Sequence, residues 1–439
     1  MSGARPPLPA SCTNLWLNLG GLACGMAAMV FVVRMPELDV AVAAMIVMAA
    51  AAGFIATGEV LRLRGRMLRN AGLAADPPNE FDLNRVGLKL LGLYGTFVCI
   101  GFVYWLLHEY HGSFYAPFWR MLRLALPALI VLAVPYFFWT DRRQSAPHDG
   151  YYHAGLLFAG RWKGLNRQVL KQHALGWGVK AFFLPLMLVF FTTDIHFYRG
   201  FDFTHIWDEF RLFYDLSYRL LFSMDLLFAT FGYVTTLRLF DAHIRSTQST
   251  LVGWLAALIC YQPLWSFVYR TYLPYEDGAR MWGPWLANGE PFVWGATAPY
   301  LFWGGAILLL LAIYGLATVA FGLRFSNLTH RGIITGGPYR YSKHPAYWSK
   351  NLSWWLISVP FITLGSAADA VRHCLMLLML NGIYWLRAYT EERHLSGDPV
   401  YVEYALAMNE RSWLAPLVRR FPVLKFLNYR PPAPERAGR

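Results

Sequence analysis

Two short polar segments in the last third of this 439-residue chain contain the residues whose types and spacing are suited to binding a ligand or catalysing a reaction. The first, residues 331–347, has glycines and a proline that open a loop where the backbone can approach a ligand, and then a His-Pro pair. The second, residues 387–404, begins with Arg387, followed four and five residues later by Glu391 and Glu392. The position of Arg387 also allows an ion pair with Glu391, since side chains four residues apart meet on a helix.

Hydrophobic helices must position these segments. Hydrophobic residues make up 56% of the chain and the mean hydropathy is +0.34, while charged residues are only 15%, against roughly a quarter in soluble domains. A bilayer core needs about 20 mostly apolar helical residues. About ten stretches are close to that length and composition. They are Leu15–Val33, Val40–Val60, Val86–Leu107, Met121–Trp139, Gly178–Phe197, Leu220–Phe240, Leu251–Tyr269, Ala298–Leu323, the shorter Leu352–Leu364, and Leu375–Tyr389. They predict an all-α fold, a polytopic transmembrane helical bundle.

The formal net charge of +13 does not indicate a nucleic-acid partner, because the basic residues follow every second predicted span. The alternate loops, such as residues 196–219 and 272–294, are more acidic and aromatic. The positive-inside rule then predicts an even number of spans with both termini in the cytoplasm. We expect a multi-pass integral membrane protein of the bacterial inner membrane.

Neither metal nor disulfide chemistry is predicted. The five cysteines lie mostly in apolar runs and show no paired spacing. His148, His153 and His173 fall in one predicted loop, but their spacing matches no metal motif. Residues 1–14 lack the apolar core of a cleavable signal peptide, so Leu15–Val33 is expected to be a retained span.

The two polar segments together resemble the membrane methyltransferases typified by isoprenylcysteine carboxyl methyltransferase and the phospholipid N-methyltransferases. The shared signature is Gly-Pro-Tyr-x-x-x-Arg-His-Pro-x-Tyr, a helical hairpin, Arg-x-x-x-Glu-Glu and then Tyr-x-x-Tyr. The matching residues in this chain are Gly337, Pro338, Tyr339, His344, Pro345, Tyr347, Arg387, Glu391, Glu392, Tyr401 and Tyr404. The chain is accordingly divided into residues 1–297, a transmembrane region of unknown role; residues 298–430, a methyltransferase-like membrane domain; and residues 431–439, a disordered tail.

The resemblance implies that S-adenosylmethionine binds at the cytoplasmic membrane edge. An acidic pair suits the cofactor's positive charges, and Arg340, His344 and loop amides suit its carboxylate. The rings of Tyr339, Tyr347 and Trp348 suit its adenine. Arg387, Glu391 and Tyr347 are then the expected catalytic residues. The expected cofactor-binding residues are Gly337, Pro338, Tyr339, Arg340, His344, Pro345, Tyr347, Glu391 and Glu392.

The chain departs from the family pattern at three places. Lys343 stands where the family has arginine, which replaces a bidentate clamp by a point charge. Trp348, Ser349 and Lys350 follow Tyr347 where a small residue is usual, and residues 409–413 lack the Arg-x-Pro ending. The first two departures bear on the identity of the acceptor more than on the cofactor.

The predicted function is therefore transfer of a methyl group to a lipid or other hydrophobic acceptor, with the N-terminal spans as walls of an acceptor cavity. Sterol reductases, which use NADPH, resemble the same hairpin and are an alternative, as is a non-catalytic transporter or scaffold. Loop residues 336–339 and the acidic pair favour the methyltransferases. Asp225, inside a predicted span, is expected at the membrane interface.

Overall fold

The computed structural model describes residues 7–283 and 298–426, which are mostly helical. The first eight helices are α1 (Leu15–Val33), α2 (Val40–Leu63), α3 (Gly65–Asn70), α4 (Leu83–Leu106), α5 (Ala116–Arg143), α6 (Gly150–Phe158), α7 (Arg167–Gly200) and α8 (Phe210–Val234). They are followed by β1 (Ser246–Thr247), α9 (Leu251–Leu258), α10 (Leu264–Phe267), a π-helical turn (Val268–Tyr272), α11 (Ala298–Val319), β2 (Thr329–His330), α12 (Pro345–Ser358), α13 (Ala367–Leu395), α14 (Pro399–Arg411) and α15 (Ala415–Arg420).

Six helices in the described part of the chain are long and apolar enough to cross a membrane, namely α1, α2, α4, α5, α7 and α11. They indicate an integral membrane protein, as the sequence predicts. Helices α8 and α13 have 25 and 29 residues, but both carry several charged side chains. The total of about ten spans and the cytoplasmic placement of both termini stay predictions.

One predicted span is wrong as a continuous helix. Over Leu251–Tyr269 the structure has the eight-residue α9, a break, and then α10 directly after Pro263. Proline has no N–H to donate and disfavours helical backbone in the residue before it, so the helix is interrupted there. The predicted Leu352–Leu364 also ends early, because α12 stops before Val359, whose φ of 46° is left-handed.

Helices α4 and α6 approach closely through glycine. A Cβ atom added to Gly92 would lie 2.0 Å from the carbonyl oxygen of Tyr151, and one added to Gly155 would lie 1.9 Å from that of Leu88. Any side chain at either position would therefore push the helices apart, as in other small-residue contacts between membrane helices. The contact places the N-terminal end of α6 beside His173 of α7.

The two predicted regions of the chain are held together by backbone hydrogen bonds. The N–H of Cys12 donates to the carbonyl of Ile333 at 3.0 Å, and the hydroxyl of Thr335 donates to the carbonyl of Pro9 at 2.8 Å. Strand β1 pairs antiparallel with β2. The predicted division at residues 297 and 298 borders the undescribed residues 284–297, and the predicted tail lies outside the described residues.

Arg331, directly after β2, is the centre of this junction. Its guanidinium donates to the carbonyl oxygens of Ala242, Gly232, Phe325 and Leu323 at 2.7–2.8 Å. Burial lowers the pKa of Arg331 to about 9. The side chain thus joins the end of α8 and the loop before β1 to the segment that follows α11.

Candidate active site

The hairpin of α12 and α13 brings the two polar segments together. Tyr347 contacts Glu391 and Trp355 contacts Asn381, so the two helices run antiparallel and the start of α12 faces the end of α13. Pro345 begins α12, where a missing N–H costs no hydrogen bond. A capping box of Ser366 and Asp369 begins α13 at the opposite end.

Glu392 forms a charge cluster with the residues before α12. Its Oε1 atom lies 2.7 Å from Nζ of Lys343 and 2.8 Å from Nε2 of His344. Burial would raise the pKa of the Glu392 carboxyl, but the hydrogen bond and charge of His344, together with Lys343, hold that pKa below its ordinary value. Glu392 is therefore an anion with its partners already in place, and it does not line the cavity beside it.

Glu391 has a different environment. Its carboxylate accepts a hydrogen bond of 2.6 Å from the hydroxyl of Tyr347, whose ring stacks on His344 at 5.4 Å between ring centroids. No ion pair of Glu391 is found among the described residues, and the pair with Arg387 that the spacing allows does not form. Glu391 lines the cavity, and its carboxylate can accept further hydrogen bonds from a ligand or pair with a ligand's positive charge.

Arg387 is held by a neutral partner. Its Nη2 donates to Oδ1 of Asn327, and the amide of Asn327 in turn donates to the hydroxyls of Tyr233 and Tyr261. The guanidinium carbon lies 5.1 Å from the centre of the Tyr347 ring. The side chain is buried but keeps its full charge without a carboxylate partner, which suits it to an anionic group.

These groups meet in one cavity, called here the main cavity, of about 120 Å³. Five of the expected site residues line it, and they are Tyr339, His344, Tyr347, Arg387 and Glu391. The other five expected residues, Gly337, Pro338, Arg340, Pro345 and Glu392, lie outside its wall, and Arg340 is exposed. The individual roles of all ten stay predictions. Tyr404 supports the loop from outside, because its hydroxyl donates to the carbonyl of Tyr339 at 2.7 Å.

The N-terminal region, residues 1–297, supplies a second part of the wall. Met187 of α7, Asp225 of α8, Gln248 after β1 and Tyr261 after α9 all line the main cavity. Asp225 accepts hydrogen bonds of 2.6 Å from the hydroxyls of Tyr314 and Thr318 in α11. The sequence gives no reason to expect these residues beside the motif, apart from the rarity of a carboxylate inside an apolar helix. Among the described residues no group of three or more potential ligands is placed to hold a metal ion.

The fold and the site together define a helical membrane protein with a cavity suited to a charged small molecule. Residues 299–397, which include almost all of α11, α12 and α13, match the model of the Isoprenylcysteine carboxyl methyltransferase (ICMT) family. The suspected relationship is thus confirmed for the C-terminal part, less than a quarter of the chain, and it supports methyl transfer as the general reaction. No curated protein and no solved structure matches the chain.

Proposed function

We propose that the protein is an integral membrane methyltransferase that uses S-adenosylmethionine and methylates a lipid or other hydrophobic acceptor at the cytoplasmic face. The observation that carries this proposal is the joint presence of Arg387, Glu391 and Tyr347 in the wall of one cavity. All three belong to the segment that matches a methyltransferase family. No feature of the described residues favours a nicotinamide cofactor or a transport path over this function.

The donor set fits the proposed cofactor. The Glu391 carboxylate complements an ammonium or sulfonium charge, Arg387 complements a carboxylate, and the ring of Tyr339 offers an aromatic surface to adenine. Trp348 packs against Trp413 instead and does not line the main cavity. The cavity of about 120 Å³ is smaller than the roughly 300–1,000 Å³ of typical ligand sites, so binding requires wall side chains to move.

The chain's own contribution to the reaction is alignment and charge. When bound, the cofactor supplies a methyl group on a sulfonium sulfur, and an in-line displacement is fast only when donor and acceptor are held in register. Arg387, fixed by Asn327, holds an anionic group in one place. Glu391, fixed by Tyr347, holds a cationic one. The ring of Tyr347 lies between the charges of Arg387 and Glu391. A ligand that carries both an anionic and a cationic group is therefore held in one orientation.

The rest of the wall supports a hydrophobic acceptor. Met187, Ala257, Phe321 and Phe325 give the main cavity an apolar side, and the first two come from the N-terminal region, residues 1–297. This arrangement is the reason to propose that the N-terminal helices complete an acceptor cavity. Asp225 and Lys350 add one acidic and one basic group to that side.

Calorimetry on the detergent-purified protein tests the proposal with S-adenosylmethionine, S-adenosylhomocysteine and NADPH as ligands. We expect saturable binding of the two adenosyl ligands, weakened at least about tenfold in Glu391→Gln, since one lost charge contact is worth about 1.4 kcal/mol or more. Glu403→Gln, at an exposed position of α14, is the matched control and should bind as the wild type does. Binding of NADPH alone would support a reductase, and binding of none of the three by folded protein would support a transporter or scaffold.

A further inference from the structure

A second cavity, called here the basic cavity, lies between the end of α5, the first half of α7 and the loop before β1. Its volume of about 350 Å³ is larger than that of the main cavity. Strand β1 separates the two, since Thr247 lines the basic cavity and the next residue, Gln248, lines the main one. Neither the motif nor the family match includes any residue of the basic cavity.

Cations outnumber anions in the wall of this cavity. Lys180, Arg238 and Arg245 line it, and Asp149 is the one acidic residue among its described lining residues. Asp149 already accepts a hydrogen bond of 3.0 Å from Gln144 and lies 3.7 Å from the ammonium of Lys89.

The three basic side chains differ in whether a carboxylate neutralises them. Arg245 forms an ion pair of 3.3 Å with Asp241, outside the cavity wall. The guanidinium of Arg238 donates to the backbone carbonyl of Ala71 at 2.9 Å and has no carboxylate partner among the described residues. Lys180 has no carboxylate partner in the described part of the chain, and its ammonium lies over the ring of Trp177. Lys180 and Arg238 are therefore the two basic side chains of the wall that have no carboxylate partner among the described residues.

His243, one of the histidines in the wall, lies in the field of these positive charges. Burial, as the largest cause, and the charges of Arg238, Arg245, Arg331 and Arg324 together lower the pKa of His243 to about 3. His243 Nδ1 and the hydroxyl of Thr247 are also buried without a hydrogen-bond partner among the described residues. Buried polar groups are normally paired, so these two atoms mark unused hydrogen-bonding capacity at the wall.

We propose that the basic cavity binds a phosphate group, through Lys180, Arg238 and Arg245. Two guanidinium groups match a phosphate in bidentate geometry, and a lysine ammonium adds a point charge. The volume is sufficient for a monophosphate or a diphosphate. The same chemistry belongs to a free phosphate ester and to the head group of a lipid, and Lys180 lies on α7, one of the helices long and apolar enough to span a bilayer. This site does not depend on the methyltransferase proposal.

Native mass spectrometry and calorimetry of the full chain in neutral detergent test the site with two probes. Inorganic pyrophosphate represents the soluble source, and phosphatidylglycerol in mixed micelles represents the lipid source, with diacylglycerol as the phosphate-free control. We expect saturable binding of one of the two probes, weakened at least about tenfold in Lys180→Gln and in Arg238→Gln. Which probe binds identifies the source.

Three controls keep the result specific. Lys171→Gln removes an exposed charge from the same helix outside the cavity, and it should leave binding unchanged. Lys180→Arg keeps the charge and should retain most of the affinity. The thermal unfolding midpoints of the same variants in detergent show whether they are folded. Absence of saturable binding of both probes, or an equal loss in Lys171→Gln and Lys180→Gln, would overturn the proposal.

Discussion

The main cavity and the basic cavity lie next to each other and differ in how their charges are matched. In the wall of the main cavity two carboxylates, Asp225 and Glu391, occur with the cations Lys350 and Arg387 and with Lys343, which Glu392 already neutralises. In the basic cavity the cations exceed the single acid. A balanced wall suits a ligand that carries both signs of charge, whereas an unbalanced wall suits an anion. Neighbouring cavities in one bundle are thus adapted to different ligand classes, and the residues between them decide how independent they are.

The largest expected effect comes from Arg331, which joins the segments behind both cavities. Arg331→Met leaves four buried carbonyl oxygens without this donor, and we expect the free energy of unfolding to fall by about 3 kcal/mol. The midpoint of thermal unfolding in detergent should drop by several degrees, and both cavities should lose their ligands together.

Arg340→Met is the matched control for this effect. Arg340 lies in the following loop, but its side chain is exposed, so its replacement should change stability by no more than about 0.5 kcal/mol. If Arg331→Met unfolds at the wild-type temperature, the two cavities are not joined through this residue.

The sequence predicts the two cavities unequally, for a physical reason. His344 and Glu392 belong to two short motifs at the open end of one helical hairpin, so the hairpin that the sequence predicts already brings them together. Asn327 and Tyr261, which hold Arg387 in position, come from separate elements and reach it only through helix packing. Their positions do not follow from any local pattern.

The basic cavity shows the same limit in another form. Lys180 and Arg238 lie just inside the ends of two predicted spans, Gly178–Phe197 and Leu220–Phe240, where the positive-inside rule already accounts for a basic residue. The break in the predicted span Leu251–Tyr269, by contrast, has a local signal, because Pro263 lies in its middle. Helix type and extent are largely local properties here, whereas cavity walls depend on tertiary contacts.

The next effect separates the two glutamates of the acidic pair. Glu392→Gln leaves Lys343 and His344 without their buried carboxylate, and we expect a loss of about 2 kcal/mol in unfolding free energy. Glu391→Gln should instead lower adenosyl-ligand binding and leave the unfolding midpoint near that of the wild type. Thermal unfolding and calorimetry on both variants, with the exposed Glu410→Gln as control, make the measurement. Identical effects of the two changes would contradict different environments for the pair.

A smaller effect is expected from Asp225, and it rests on the proposed function. Asp225→Asn removes a charge contributed by α8 to the main cavity, so we expect methyl transfer to a membrane lipid extract to fall about tenfold in kcat/KM. Binding of S-adenosylhomocysteine should be nearly unchanged. Release of S-adenosylhomocysteine is the readout, and Asp215→Asn, exposed on the same helix, is the control. An equal loss of cofactor affinity would place Asp225 at the cofactor instead of at the acceptor.

The last effect is a pH dependence of stability to which His243 in the wall of the basic cavity contributes. The folded-state pKa of His243 is about 3, below its ordinary value of 6.5, so the unfolded chain takes up a proton that the folded protein excludes. The stability contribution of His243 is therefore complete above about pH 6.5 and falls as the pH drops toward 3. The Glu392 carboxyl contributes in a separate window, since its pKa is also lowered but from an ordinary value of 4.5.

His243→Asn should accordingly remove part of the fall of the unfolding midpoint between pH 6.5 and 5, and His394, whose pKa burial lowers to about 4, should account for a further part. A change at Glu392 should act only at lower pH. A bound phosphate would cancel part of the arginine field that disfavours the imidazolium. The phosphate probe that binds should therefore also flatten the wild-type curve, and it should have little further effect on the slope in His243→Asn. If the probe binds but leaves the wild-type slope unchanged, it does not lie beside His243, and the basic cavity is not its site.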